Sequence, residues 1–410
     1  MTFNSGPEQA AGPASGPPGR RVLPALLTGV SWVFLASVFV SIAVNSLALG
    51  LMAVCWLLLM IAQRRWSVVA TPLDYAFLGY VAAEAVATVC SVRWEESLFV
   101  SRRVLLIGIV YFFASRLESL PALRRTVGVL LGSSAAVALM GILKLLTGGP
   151  GENTRLGIFQ FYMTTAELMM IALLLAVPFA LHPGTPKSFR IAALTAAGLM
   201  AITLYATVTR GAYLAAAAGL VCIAAVRDKR LLVPILILCV VLVLFAPPYV
   251  EQRLLSIVDI HHPENASRLM LWSAGLRIFA DHPVVGVGDI DLGDLLRRYA
   301  DPGYGGEWGH LHNVALQILV TLGTLGGVAA TAMFGMIAVT EWRVYRAVRD
   351  DWFAGSVALG SLAAFVGFQV NGLTEWSFGD QEVATLFWVT VGLSLAVGRL
   401  KEKAGAGGER

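Results

Sequence analysis

The chain is a succession of apolar runs, each about as long as a bilayer is thick, separated by short polar breaks. The runs lie at 22–41, 45–63, 72–91, 103–119, 124–146, 162–182, 190–208, 211–227 and 231–247. After one long polar stretch come three more, at 311–340, 353–372 and 382–399. None alternates with a period of two, so helices are expected rather than a barrel. The pattern predicts an all-α, polytopic integral membrane protein with about twelve transmembrane helices, each of bilayer-spanning length. Five ranges follow: a tail at 1–21, a first bundle at 22–247, a polar loop at 248–310, a second bundle at 311–400 and a tail at 401–410. The first tail is rich in Gly, Pro, Ser and Ala, cannot bury a core and is expected to be disordered. It lacks the short apolar region and small-residue site of a cleaved signal.

Composition agrees with this pattern. Only 14% of residues are charged and mean hydropathy is +0.73, against about a quarter charged in a soluble domain. A net charge of +4 is too mild to imply nucleic acid. Cys55, Cys90, Cys222 and Cys239 lie in or beside apolar runs without CxxC spacing, so neither a disulfide frame nor a zinc site is indicated.

The placement of cations says more than their sum. Arg20-Arg21, Arg64-Arg65, Arg124-Arg125, Lys187, Arg190, Arg227 to Arg230, Arg343 to Arg349 and Arg399 to Lys403 fall in alternate loops. The positive-inside rule puts these loops, and both termini, in the cytoplasm, with 248–310 outside. The outer loops are poorer in cations, yet Arg102, Arg103, Arg155 and Arg210 sit at helix ends there. Each alone reads as a snorkelling anchor. Gathered on the depleted side, with forks that suit phosphate oxygens, they point to an anionic ligand.

Within the loop, Asn265 or Ser267 is placed to cap a helix beginning near Arg268, with Leu269, Trp272, Leu276 and Phe279 at helical spacing. That helix either lies on the membrane surface or packs against the bundle. A second short helix is expected at 292–299. His312 stands where the loop re-enters the membrane, next to His310 and Asn313, and an imidazole there can take a proton without a metal. The plainer reading is an interfacial polar side chain. Arg210 opens an apolar run with almost no loop before it, so it needs a cavity or a partner. Arg268 stands at the end of the expected helix that disfavours a cation, which hints at another task. Asp289-Ile290-Asp291 matches a DxD, a short pattern that more plainly reads as an acidic helix start. Glu95, Glu96, Glu152, Glu167, Glu375, Asp380 and Glu382 are possible partners for the arginines, and Glu167, inside an apolar run, is expected to have one.

Four pieces in order carry a resemblance. They are Thr209-Arg210-Gly211-Ala212, Ser267-Arg268-Leu269 followed by Trp272, Asp281-His282-Pro283-Val284-Val285-Gly286-Val287-Gly288, and His312-Asn313-Val314 to Leu319 leading into Gly323 and Gly326-Gly327. Over about 205–330 the chain resembles the O-antigen ligase and polymerase superfamily of bacterial envelope glycosyltransferases, and looks most like its lipopolysaccharide ligase branch. The stretch Gly157 to Tyr162 lacks the Asn-containing turn many members show.

The resemblance implies a GT-C-like fold in the bacterial inner membrane. Undecaprenyl-diphosphate-linked O-antigen would be the donor, lipid A–core the acceptor, and no cofactor or metal would be needed. It assigns catalysis to His312, Arg210 and Arg268. Substrate binding would fall to Arg210, Arg268, Arg155, Arg102, Arg103, His310 and Asn313. An O-antigen polymerase or a protein O-oligosaccharyltransferase would use the same residues on another acceptor. A transporter of lipid or sugar is the alternative from another class, but its matching halves are not seen here.

Overall fold

The computed structural model describes residues 19–148, 155–301 and 308–408. The expected tail at 1–18 and Glu152 lie outside these. Among the described residues the chain is all-helical. In order, the helices are α1 (Gly19–Ser37), α2 (Ile42–Gln63), α3 (Asp74–Cys90), α4 (Trp94–Ser101), α5 (Gly108–Arg116), α6 (Leu120–Gly148), α7 (Tyr162–Leu181), α8 (Lys187–Ala206), α9 (Arg210–Arg227) and α10 (Leu232–Leu244). Then come α11 (Pro248–Leu255), α12 (Pro263–Asp281), α13 (Gly293–Tyr299), α14 (Val314–Val348), α15 (Trp352–Asn371) and α16 (Gln381–Gly408).

This is a multi-pass membrane protein. Nine described helices are long and apolar enough to cross a bilayer, α4 and α5 counting as one span at Trp94–Arg116. The other three expected segments, in α1, α3 and α10, are also helical but shorter. The four cysteines are free.

The bundle is built around α7 and α15, which pack on each other, with α9 and α16 against α15. Both central helices are apolar around nearly their whole circumference, as burial on all sides requires. By contrast α10 is apolar but mostly exposed, and its main neighbour is α9. Exposed apolar surface of this kind suits lipid.

Two expectations about the loop helices need correcting. The helix expected near Arg268 starts at Pro263, after His262, so Arg268 is in its second turn rather than at its start. Asn265 does not cap it; its side chain is spent on Arg210 and on the carbonyls of Ser256 and Asp259. The buried stripe of α12 is Leu271, Ala274, Gly275 and Ile278, while Leu269 and Leu276 face outward. This stripe joins Val287, Ile290, Leu292, Leu296, Leu311 and Val320 in a second apolar cluster, apart from the bundle core. The loop helix therefore packs on the protein rather than lying flat on the membrane.

The run expected at 311–340 is also more than one helix. α14 breaks at Gly323 (φ 65°, ψ −166°). Into the break fits the segment 283–288. The amides of Thr324 and Leu325 donate to the carbonyls of Pro283 and Val284, and the amides of Val287 and Gly288 donate to those of Val320 and Thr321. Backbone groups freed by the kink are thus satisfied by the loop, as a low-dielectric setting demands. A Cβ on Gly286 would meet Thr321 backbone at 2.4 Å, and one on Gly323 would meet Val284 at 2.3 Å. The glycine motifs noted in the sequence are this interlock. It pins the loop to the start of α14, where His312 sits.

Candidate active site

Arg210 is the first residue of α9 and is buried. Its Nη1 donates to the Ser256 carbonyl (2.6 Å) and hydroxyl (2.8 Å); its Nη2 donates to Glu264 (3.1 Å) and Asn265 (3.0 Å). The turn before it is strained: Val208 has φ 52°, rare for a β-branched residue. Gly211 lets the loop after α15 come close, since a Cβ there would meet the Thr374 hydroxyl at 2.8 Å.

Glu264 is the hub of this junction. Besides Arg210, its carboxylate takes Arg155 at 3.2 Å and Arg253 of α11 at 2.5 Å. Burial raises its carboxyl, but Arg253 and then Arg155 outweigh that and hold it down at about 2. Three guanidinium groups share one carboxylate, which leaves two positive charges uncompensated in these pairs. The Nε of Arg253 is buried with no acceptor among the described residues. Arg155 also bonds the Tyr162 hydroxyl and lies over its ring.

A second junction lies beside it. Glu375, in the loop between α15 and α16, is buried. One oxygen accepts from Arg268 Nη2; the other accepts from His312 Nδ1 at 2.9 Å. A carboxylate only accepts, so the Nδ1 of His312 carries the hydrogen, and in the neutral ring Nε2 is the nitrogen with the lone pair. That Nε2 is buried and has no partner among the described residues.

His312 has φ 47°, a left-handed conformation that non-glycine residues rarely adopt. Its surroundings over-determine it. Leu311 is fully buried, its amide donates to Gln317 and its carbonyl accepts from Trp272. On the other side Asn313 caps α14 through the Leu316 amide and donates to the Leu373 carbonyl. Strain held in this way is a mark of functional positions. The imidazole is flanked by Trp308 at 4.6 Å and His310 at 4.1 Å. Burial, then the charge of His312, push His310 down to about 4 against the pull of Asp291.

The two junctions meet in one cleft of about 230 Å³, lined by Tyr162, Met163, Pro263, Glu264, Ser267, Arg268, Leu271, Trp308 and His312. Its lining brings Arg268 and the carboxylate that gathers Arg155, Arg210 and Arg253 to the same cleft as the His312 imidazole. Such a site suits an anion next to a group that loses a proton.

Of the residues singled out in the sequence, Arg210, Arg155, Arg268, His310, His312 and Asn313 come together here. Arg102 and Arg103 lie elsewhere. Arg102 stacks over Phe99. Arg103 bonds both carboxylate oxygens of Asp289, at 3.1 and 3.0 Å, and burial pushes that carboxyl up against the pull of Arg103. The second DxD carboxylate, Asp291, accepts the Gly293 amide at the start of α13. Glu167 is buried near Ser377 and Asn371, with one carboxylate oxygen unpartnered among the described residues. Sequence reasoning missed Arg253, Glu264 and Trp308, and had Glu375 only as one acid among seven.

Residues 195–331 match the family model described as O-antigen ligase. Over that third of the chain it is similar to the O-antigen ligase family. A search of curated proteins found no match. The matched range takes in Arg210, Arg253, Glu264, Arg268 and His312 but not Glu375. Members of this family are enzymes of O-antigen processing, and all the lining residues of the cleft except Tyr162 and Met163 fall in the matched range.

Proposed function

We propose that the chain is an inverting, metal-independent O-antigen ligase. It transfers polysaccharide from undecaprenyl diphosphate to a hydroxyl of lipid A–core, on the periplasmic face of the bacterial inner membrane. The observation that supports this most is one cleft lined by Arg268, by Glu264 with its three arginines behind it, and by His312, whose Nε2 has no partner among the described residues. Both termini lie in the cytoplasm under this reading, because the positive-inside rule assigns the cation-rich loops to that side.

The reaction follows from those positions. The acceptor hydroxyl gives its proton to Nε2 of His312 and its oxygen attacks the anomeric carbon. The bond from that carbon to the diphosphate oxygen breaks, and its electron pair leaves with the diphosphate. Charge grows on the leaving group in the transition state, so Arg210 and Arg268 stabilise that state more than the ground state. Backside attack inverts the anomeric centre. Arg155 and Asn313 extend the binding surface. His310, neutral at physiological pH, packs on the base without competing for the same proton. Arg102 and Arg103 do not line the cleft, and act on the donor through their charge rather than by holding its reacting phosphates.

The test is a gel of lipopolysaccharide from a deletion strain carrying His312→Ala, Arg210→Ala or Arg268→Ala. Each variant is expected to insert in the membrane and to leave lipid A–core without O-antigen. Full-length O-antigen on the core with all three variants would remove the proposed site.

A further inference from the structure

Glu375 is placed to do more than brace a loop. Its carboxylate has two oxygens and two partners, Arg268 and the Nδ1 of His312. Arg268 and His312 both line the cleft, whereas Glu375 stands behind them. Its own position is fixed. Its amide donates to the Asn371 carbonyl at 3.0 Å, the Val314 amide donates to Gly372 at 2.7 Å, and Asn313 holds Leu373. A ligand in the cleft therefore meets Arg268 and His312 but reaches Glu375 only by changing what they do.

We infer that Glu375 couples donor binding to the strength of the base. This rests on the glycosyl-transfer reading above. Without donor, the Glu375 charge is shared between a guanidinium and the imidazole N–H. When a diphosphate enters the cleft, its oxygens compete for Arg268, whose fork suits phosphate as well as carboxylate. Each bond that Arg268 moves to the phosphate leaves more of the Glu375 charge for Nδ1–H. A carboxylate hydrogen-bonded to one imidazole nitrogen stabilises the imidazolium that forms when the other takes a proton. His312 becomes a competent base when its leaving group is in place, and stays a weak one while only water can react.

Among the described residues, the charged and titratable groups facing His312 are few. Glu375 and, through it, Arg268 lie on one side, and His310 lies on another. Glu264 stands on the cleft wall among its arginines. Of these, only Glu375 bonds both Arg268, the side chain that would hold the diphosphate, and the base, so it is a positioning residue with two opposed effects.

Those opposed effects are the test. Glu375→Gln keeps the shape and removes the charge. It is expected to free Arg268, so that inorganic diphosphate and undecaprenyl diphosphate bind to purified enzyme about threefold to tenfold more tightly. Turnover on lipid-linked donor is expected to fall on the order of a hundredfold, the scale of a general base. A loop brace alone would weaken binding and turnover together, and that result overturns the coupling, as does no change in either. Glu375→Asp is expected to restore part of the turnover. Should Glu375→Gln fail to fold, ¹⁵N spectra of histidine-labelled wild-type enzyme decide the matter. They should show His312 as the Nδ1–H tautomer, with its Nδ1 signal moving when diphosphate is added. The Nε2–H tautomer, or an unmoved signal with diphosphate bound, overturns it. Wild-type enzyme that binds no diphosphate, or binds it equally well as Arg210→Ala, fails at the earlier step and removes the glycosyl-transfer reading itself.

Discussion

The molecule holds two carboxylates on cations a short distance apart, and it builds the two places differently. At Glu264, three arginines from three separate segments converge on a carboxylate that is about 39% exposed, and they leave net positive charge. At Glu375, one arginine and one histidine meet a carboxylate only about 8% exposed, on a loop tied to the rigid start of α14. The first place is overcharged and open, which suits capture of an anion from outside. The second is balanced and closed, which suits directional control of one proton. Capture tolerates an approximate geometry, but proton transfer does not.

The comparison is broken most directly at Arg210, the only arginine of the first place that is itself fully buried at the end of a spanning helix. Arg210→Lys keeps a charge but cannot reproduce its four bonds to Ser256, Glu264 and Asn265. Ligation in a membrane assay is expected to fall by about a hundredfold or more, the scale of losing one positioned donor to a developing anion. Activity near wild type would mean that charge alone suffices there.

Glu264→Gln probes the same place from its other side. It leaves three guanidinium groups without a counter-charge. The folded state in detergent is expected to melt a few degrees lower, a modest effect because the pair is partly solvated. Inorganic diphosphate is expected to raise that melting point more in the variant than in wild type. An equal rise in both would indicate that the anion binds elsewhere.

Acid separates the two places further. The Glu264 carboxyl sits near 2, below its unfolded value near 4.5. A depressed carboxyl contributes stability above the unfolded value and loses it as pH falls toward the folded one. The Glu264 junction should therefore hold until pH drops below about 4.5, and be lost by about 2. His310 behaves in the same sense over a higher pH range. Its folded value near 4 is below the unfolded 6.5, so the unfolded chain binds the proton first. Stability near the second place should begin to fall already between about pH 6.5 and 4. Melting temperatures of wild type, Glu264→Gln and His310→Gln across both ranges check this. The smallest effect is expected for Trp308→Phe, which keeps an aromatic face near His312; turnover should change by about threefold to tenfold.

Much of this was legible in the chain because the physics is local. Apolar runs of bilayer length became helices, and a membrane-level Arg210 with no room for a loop had to find a partner. His312 was marked by its place at a helix start. The Glu264 junction was not legible, because it forms only when the segment 253–265 meets Arg210 and Arg155, which lie far from it in the sequence. The burial of α12 was left open because apolar residues at 269–272 populate both of its faces, so spacing alone does not say which one packs. Glu375 looked like any acid at a helix end. Its role depends on the close approach at Gly211 and on the turn at His312, neither of which has a periodic signal.

The most direct measurement is a cryo-electron-microscopy structure of the enzyme with undecaprenyl diphosphate bound. The diphosphate should lie in the cleft between α7 and α12, within hydrogen-bonding distance of Arg268 and at the Arg210–Glu264 junction, with Nε2 of His312 open to the position of the sugar carbon. A diphosphate bound away from those arginines, or a His312 ring turned from it, would contradict the assignment.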